Sequence, residues 1–191
     1  MFNAKEIIRQ HLQDGIEIRR KALDACQADI ARGAELLIAA VKAGGCIYLF
    51  GNGGSAADAQ HIEGELTGRY MQERPAILAR AITTNSTALT AIANDYGYDM
   101  VFARQLQVAR AVDAVIGIST SGKSSNVLKG LEEARRRGAK TLGLTGQNPG
   151  PMQTLCDVCV AIPGAYTPHI QEMHIAVGHL WSHLVEVAVH G

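Results

Sequence analysis

His61 and Glu65 stand four residues apart in the stretch 51–70. On a helix that spacing puts an imidazole and a carboxylate on one face, close enough to share a metal ion or a substrate. Ahead of them runs Gly51-Asn52-Gly53-Gly54-Ser55, which follows the apolar residues Cys46-Ile47-Tyr48-Leu49-Phe50. A buried strand, a glycine-rich turn and a helix N-terminus in that order make an anion site, because free backbone N–H groups and the helix dipole converge there. Ser55 is the expected N-cap, with Asp58 as its capping-box partner. The chemistry suggested is a phosphate pocket with polar groups farther along the helix.

Alone, this stretch is equally well a tight βα turn leading into a capped helix. GNGGS lacks both the terminal Gly-Lys-Ser/Thr of a P-loop and the spacing of the dinucleotide fingerprint. A second turn of the same kind strengthens the ligand reading. Ser119-Thr120-Ser121-Gly122-Lys123-Ser124 follows Ala114-Val115-Ile116-Gly117-Ile118 and precedes a helical pattern. Two such turns, each after a parallel strand, lie side by side at the carboxyl edge of a sheet, where open α/β folds bind ligands. Hydroxyls and backbone amides suit a phosphate that must be released again.

The elements that position these residues alternate. Residues 3–43 carry helical periodicity, through Ile7, Ile8, Leu12, Ile16 and Leu23 and then Ile30, Leu36, Leu37, Ala40 and Val41. They read as two helices with a break near 25–29, packed on the sheet or on another subunit. Apolar runs at 46–50, 76–82, 114–118, 140–145 and 157–162 read as five strands. Helical patterns fill 55–68, a short stretch with Leu89 and Ile92 broken at 94–98, 99–110, and a stretch with Val127, Leu128, Leu131 and Ala134. A last helix runs from about Thr167 to Val189. The alternation predicts an α/β three-layer sandwich with a five-stranded parallel sheet, flavodoxin- or Rossmann-like, plus N-terminal helices. One domain is expected over 1–191.

Composition narrows the class. Lys plus Arg and Asp plus Glu each number 18, so nothing points to a nucleic-acid partner. No apolar run approaches the ~20 residues of a membrane span, no signal-peptide pattern opens the chain, and a cytoplasmic location is expected. Cys156-Asp157-Val158-Cys159 has C-x-x-C spacing. It opens a strand rather than a helix and has no second pair, so these read as reduced core thiols.

Taken together, GNGGSAADAQHIEGELTGRY at 51–70, AIANDYGY at 91–98, ISTSGKSSNV at 118–127 and IQEMH at 170–174 with His179 resemble the sugar isomerase (SIS) domains. Among these they are most similar to the bacterial phosphoheptose isomerases, in register over nearly the whole chain. The resemblance implies conversion of sedoheptulose 7-phosphate to D-glycero-D-manno-heptose 7-phosphate through an enediol, the first step of heptose biosynthesis for lipopolysaccharide and other surface polysaccharide. It assigns the sugar phosphate to Ser119, Thr120, Ser121 and Ser124 with Asn52, Gly53, Gly54 and Ser55, and further substrate contacts to Asn94, Asp95, Glu65 and Gln171. It assigns a Zn²⁺ site to His61, Glu65, Gln171 and His179, with Glu65 and His179 as the acid–base pair, and implies a homotetramer with shared active sites.

Two points stay open on the sequence. Gln171 and His179 are eight residues apart, ~12 Å of helical rise, so either the helix starts after Gln171 or one ligand comes from a neighbouring subunit. Spacing does not single out His179 from His174 and His183, which read as core or interface histidines. A metal-bound Glu65 is also a weakened base, because the cation favours its charged form. Rival readings are a non-catalytic phosphosugar-binding SIS protein, of the kind that binds the replication initiator, and an isomerase of another phosphosugar. Glu65 together with His179 favours the enzyme.

Overall fold

The computed structural model describes residues 2–191. Its strands are β1 (Ile47–Gly51), β2 (Ala79–Ala81), β3 (Ala114–Ile118), β4 (Lys140–Gly146) and β5 (Val158–Ile162). Its helices are α1 (Ala4–Lys42), α2 (Gly54–Thr67), α3 (Ser86–Tyr96), α4 (Ser125–Arg136), α5 (Met152–Leu155) and α6 (Thr167–His190). The strands form one sheet in the order β2-β1-β3-β4-β5, and every neighbouring pair is parallel. β1 sits between β2 and β3, so Ile47 pairs with both Ala79 and Ala114. Both faces are covered, which is why the strands read as unbroken apolar runs rather than alternating ones.

On one face α6 packs against both α1 and α2; on the other lie α3, α4 and α5. Two glycines let the first set close up. A Cβ at Gly33 would stand 2.7 Å from Trp181 Cζ2, and one at Gly178 would stand 2.5 Å from Ile62 Cδ1. The Trp181 indole donates to the Ile30 carbonyl at 2.9 Å, which fixes α6 on α1.

α1 is one helix of 39 residues, not two. The break expected near 25–29 is a change of face. Ile18, Ala22, Cys26, Ala34 and Leu37 are buried at helical spacing, while Ile7, Ile8, Leu12, Ile16 and Leu23 are all more than half exposed on another side. The 99–110 segment is likewise not a helix but two 3₁₀ turns, Tyr98–Met100 and Gln105–Val108. Gln105 Nε2 there donates to the Val101 and Ile82 carbonyls, taking over backbone acceptors from regular structure. β2 is shorter than 76–82. α3 continues through Asn94 and Asp95 and ends at Gly97, whose φ of 87° a non-glycine residue rarely adopts.

A buried ion pair closes the end of α2. Arg74 donates to the carbonyls of Glu65, Leu66, Gly68 and Pro75, and through Nε to Glu186 at 3.0 Å. Glu186 also accepts from the backbone N–H groups of Tyr70, Met71 and Gln72. Burial pushes the Glu186 carboxyl up, but these donors outweigh it and hold it below the usual range. Removing one partner of such a pair leaves the other buried and uncompensated. Glu186→Ala is therefore expected to cost about 3–5 kcal/mol, read as a fall in the urea midpoint at neutral pH. A midpoint within error of wild type would mean that the 68–74 segment is held otherwise.

Candidate active site

The first turn forms without the expected cap. Gly53, at φ 55° and ψ −122°, precedes α2, and no side chain bonds to that end. Ser55 and Asp58 do not make a capping box: Ser55 is a buried residue of the helix itself. Asp58 Oδ2 is buried without a partner, and burial pushes its carboxyl up to about 6 against the pull of His61. The physical reason is Gly53, whose left-handed backbone turns the chain two residues earlier than a Ser55 cap would. In place of a side-chain cap, the Ser55 and Ala56 N–H groups turn back on the Asn52 and Gly53 carbonyls at 3.0 Å each.

The second turn is built from hydroxyls. Ser119 Oγ lies 3.0 Å from Ser124 Oγ and 3.4 Å from Ser121 Oγ, and Ser121 Oγ accepts from the Lys123 N–H at 3.2 Å. Ser124 is the N-cap residue of α4 but makes no side-chain cap bond, because its hydroxyl faces Ser119. Gly122 has φ 64°, and a Cβ there would collide with the Pro149 carbonyl. Thr120, Ser121 and Lys123 line an open cleft with Gln147 and Asn148.

One amide pair joins the two turns. Asn52 and Asn126 exchange side-chain hydrogen bonds at 2.9 Å in both directions, and Tyr98 Oη donates to Asn52 Oδ1 at 3.1 Å. Asn126 and Tyr98 were not singled out from the sequence. The signals were there: a polar residue ahead of Val127 at the first, sheet-facing turn of α4, and a tyrosine following Gly97. Asn94 and Asp95 are exposed on α3, and Asn94 Nδ2 donates to Asp95 Oδ1 at 2.9 Å.

Farther along α2 the structure brings three residues together. His61 Nε2 lies 3.2 Å from Glu65 Oε1 and 3.3 Å from His179 Nε2. The Tyr70 ring stacks on His179 at 5.7 Å between centroids, held by the Glu186 contacts to its backbone. These three ligand atoms all lie within 4.8 Å of one another, so two imidazole nitrogens and a carboxylate can hold a metal ion. Such a donor set is one that zinc accepts with an open position.

Gln171 is elsewhere. α6 begins at Thr167, which rules out a helix starting after Gln171. Its amide covers the first residue of α2: a Cβ at Gly54 would stand 2.5 Å from Gln171 Nε2. α2 and α6 run side by side in the same direction, with Gly54 opposite Gln171 and Ile62 opposite Gly178, so Gln171 stays about two turns from His179. Of the other histidines on α6, His174 is fully buried, bonds the Thr145 carbonyl through Nε2 at 3.1 Å, and is pushed down to about 4 by burial. It is a neutral core residue at neutral pH. His183 packs on Tyr70.

Gly54→Ala tests the first turn. The collision is with the far end of a flexible side chain, so stability should fall by less than about 1 kcal/mol. Gln171 is displaced, and sugar-phosphate affinity by calorimetry should drop roughly tenfold or more, the worth of one hydrogen bond to a charged group. Unchanged affinity would remove Gln171 from the site.

The SIS domain family model matches residues 10–146. The phosphoheptose isomerase of Rhodospirillum rubrum is 49% identical over 168 residues, covering 87% of this chain and 89% of its own. That of Akkermansia muciniphila is 48% identical over 187 residues, 97% of this chain and 98% of its own. The structure of phosphoheptose isomerase from Neisseria gonorrhoeae superposes with a TM-score of 0.92 at 36% identity, covering 97% of this chain and all of that one. With a glycine-rich and a hydroxyl-rich turn at one sheet edge and a His-Glu-His cluster beside them, this chain belongs to the SIS domain family and, within it, to the phosphoheptose isomerases.

Proposed function

We propose that the chain converts sedoheptulose 7-phosphate to D-glycero-D-manno-heptose 7-phosphate, the aldose used in heptose synthesis for surface polysaccharide such as lipopolysaccharide. The observation that carries this reading is the placement of His61 and Glu65 along the helix that the first turn opens, with His179 of α6 facing them. Seven residues, ~10 Å of rise, separate Gly54 from His61. A sugar held by its phosphate between the Gly53 and Ser119 turns runs from there toward the carboxylate.

In this reading Ser119, Thr120, Ser121 and Ser124, with Asn52, Gly53, Gly54 and Ser55, bind the phosphate, and Asn94, Asp95 and Gln171 orient the chain of hydroxyls. Glu65 Oε1 takes the proton from C1 of the ketose and returns it at C2. His179 Nε2 moves a proton between the two oxygens of the enediol. His61 Nε2, within bonding distance of both, orients them. Zn²⁺, when bound, would be held by His61, Glu65 and His179 and would supply Lewis-acid stabilisation of negative charge on the substrate oxygens. A cytoplasmic setting suits four free cysteines.

Nuclear magnetic resonance of purified protein with sedoheptulose 7-phosphate should show the aldose forming. In D₂O the wild type should place deuterium beside the carbonyl. Glu65→Gln should bind substrate, exchange no proton, and lose ~10²–10⁴-fold in kcat. Binding without turnover in the wild type would instead make the chain a phosphosugar-binding protein.

The assembly we propose is a homotetramer with shared sites. Phe2, Ile7, Ile8, Leu12, Ile16 and Leu23 on and before α1 are 54–84% exposed, a stripe more apolar than a free helix face needs to be. Gln171 would meet the metal of the His61 cluster only from a neighbouring chain. Sedimentation should give four chains, and Leu12→Lys with Ile16→Lys should dissociate them with loss of activity. Full activity in a monomer would exclude shared sites.

A further inference from the structure

A second group of metal-ligating side chains lies at the first turns of α6, ~15 Å of helical rise before His179. His11, reaching across from α1, places Nε2 3.3 Å from Glu172 Oε1, and His169 places Nδ1 3.2 Å from Glu172 Oε2. All three ligand atoms fall within 4.8 Å of one another. Neither the isomerisation nor the phosphate turns use them.

The environment is that of a binding site rather than of a surface ion pair. The His169 side chain is 5% exposed and held in place, whereas those of His11 and Glu172 are 42% and 52% exposed, which leaves a side open for an ion and its water. The two imidazoles lie 4.3 Å apart by centroid, with the Tyr166 ring packed edge-on against both. α1 runs close by at Gly15, one turn beyond His11, where a Cβ would be in ordinary contact with Glu172 Oε2 at 3.5 Å and His169 Nδ1 at 3.7 Å. Asp14, Glu17 and Lys21 line the cleft that His169 borders, two carboxylates against one ammonium, a net negative lining that favours a cation. Ligands bonded to zinc at ~2.0–2.1 Å in a tetrahedron stand ~3.3 Å apart, and each imidazole nitrogen already lies about that far from one of the two Glu172 oxygens.

We propose that His11, His169 and Glu172 form a second divalent-metal site, selective for zinc-class ions, that ties α1 to the start of α6. Two nitrogens and one carboxylate favour zinc over calcium or magnesium, which prefer all-oxygen sets. Gln171 lies between two of the ligands in sequence, so an ion here holds the turn that lays its amide over Gly54. The site is independent of the isomerase reading.

The test is titration of metal-stripped full-length protein with Zn²⁺ alone, by calorimetry and elemental analysis. His11→Gln and Glu172→Gln change exposed side chains and should fold as wild type. Each should lose one equivalent of zinc per chain, or weaken it at least tenfold, and lose part of the zinc-induced rise in Tm. His61→Gln should retain that equivalent. If His11→Gln and Glu172→Gln both keep wild-type stoichiometry, affinity and Tm response, the three residues are a hydrogen-bonded cluster and the proposal fails. It fails equally if all bound zinc disappears in His61→Gln.

Discussion

Parallel pairing of β1 with β3 is the constraint on which the site depends. The sheet order puts these two strands side by side although α2, β2 and α3 lie between them in the chain. Their carboxyl ends therefore deliver the Gly53 turn and the Ser119 turn to one edge. The helices that follow leave to opposite faces, α2 toward α6 and α4 toward the other layer, and a crevice opens between them. Across that crevice the reciprocal Asn52–Asn126 amide pair holds the turns in register. Each amide satisfies the other, so a half-buried polar contact is kept without an unpaired donor.

α6 carries the second half of the site because it is wedged between α1 and α2. Gly33 admits Trp181 and Gly178 admits Ile62, so the axes approach closely and His179, next to Gly178, meets His61. The buried Arg74–Glu186 pair does the same at the far end. It satisfies the last carbonyls of α2 and fixes the backbone of Tyr70, whose ring lies on His179. Packing, polar satisfaction and site geometry are thus one arrangement: moving α6 along α2 by a residue would separate the histidines and bury a charge without a partner.

The same helix shows how burial sorts histidines. His174, fully enclosed, bonds a carbonyl of β4 and stays neutral. His179, partly open, faces another imidazole near a carboxylate, and His169, enclosed but touching Glu172, is left with a ligating nitrogen. The C-x-x-C thiols meet a different fate. Cys159 sits in β5 with Cys156 beside it, both against Gly143 of the neighbouring strand, and all four cysteines of the chain are free.

Much of this was legible from residue types and local spacing. β3 was located to the residue, and β4 and β5 to within one, because buried parallel strands are short apolar runs bounded by polar turns. The glycine-rich and hydroxyl-rich turns stood out by composition, and the His61–Glu65 contact by helical periodicity. What local spacing could not decide was anything that depends on which face a residue meets. The unbroken α1 looked like two helices because its apolar stripe changes sides, and only packing says which side is inside. The cap on α2 moved from Ser55 to Gly53 because a positive φ, not a hydroxyl, ends that turn. Three histidines on α6 were equivalent until α2 lay beside that helix and chose His179. Gln171 lies over Gly54, about two turns short of His179, because α2 and α6 run in the same direction with Ile62 facing Gly178. Short apolar runs and helical spacing determined the strands and most of the helices; contact between elements, set by glycines and buried charge, determines which side chains share a site.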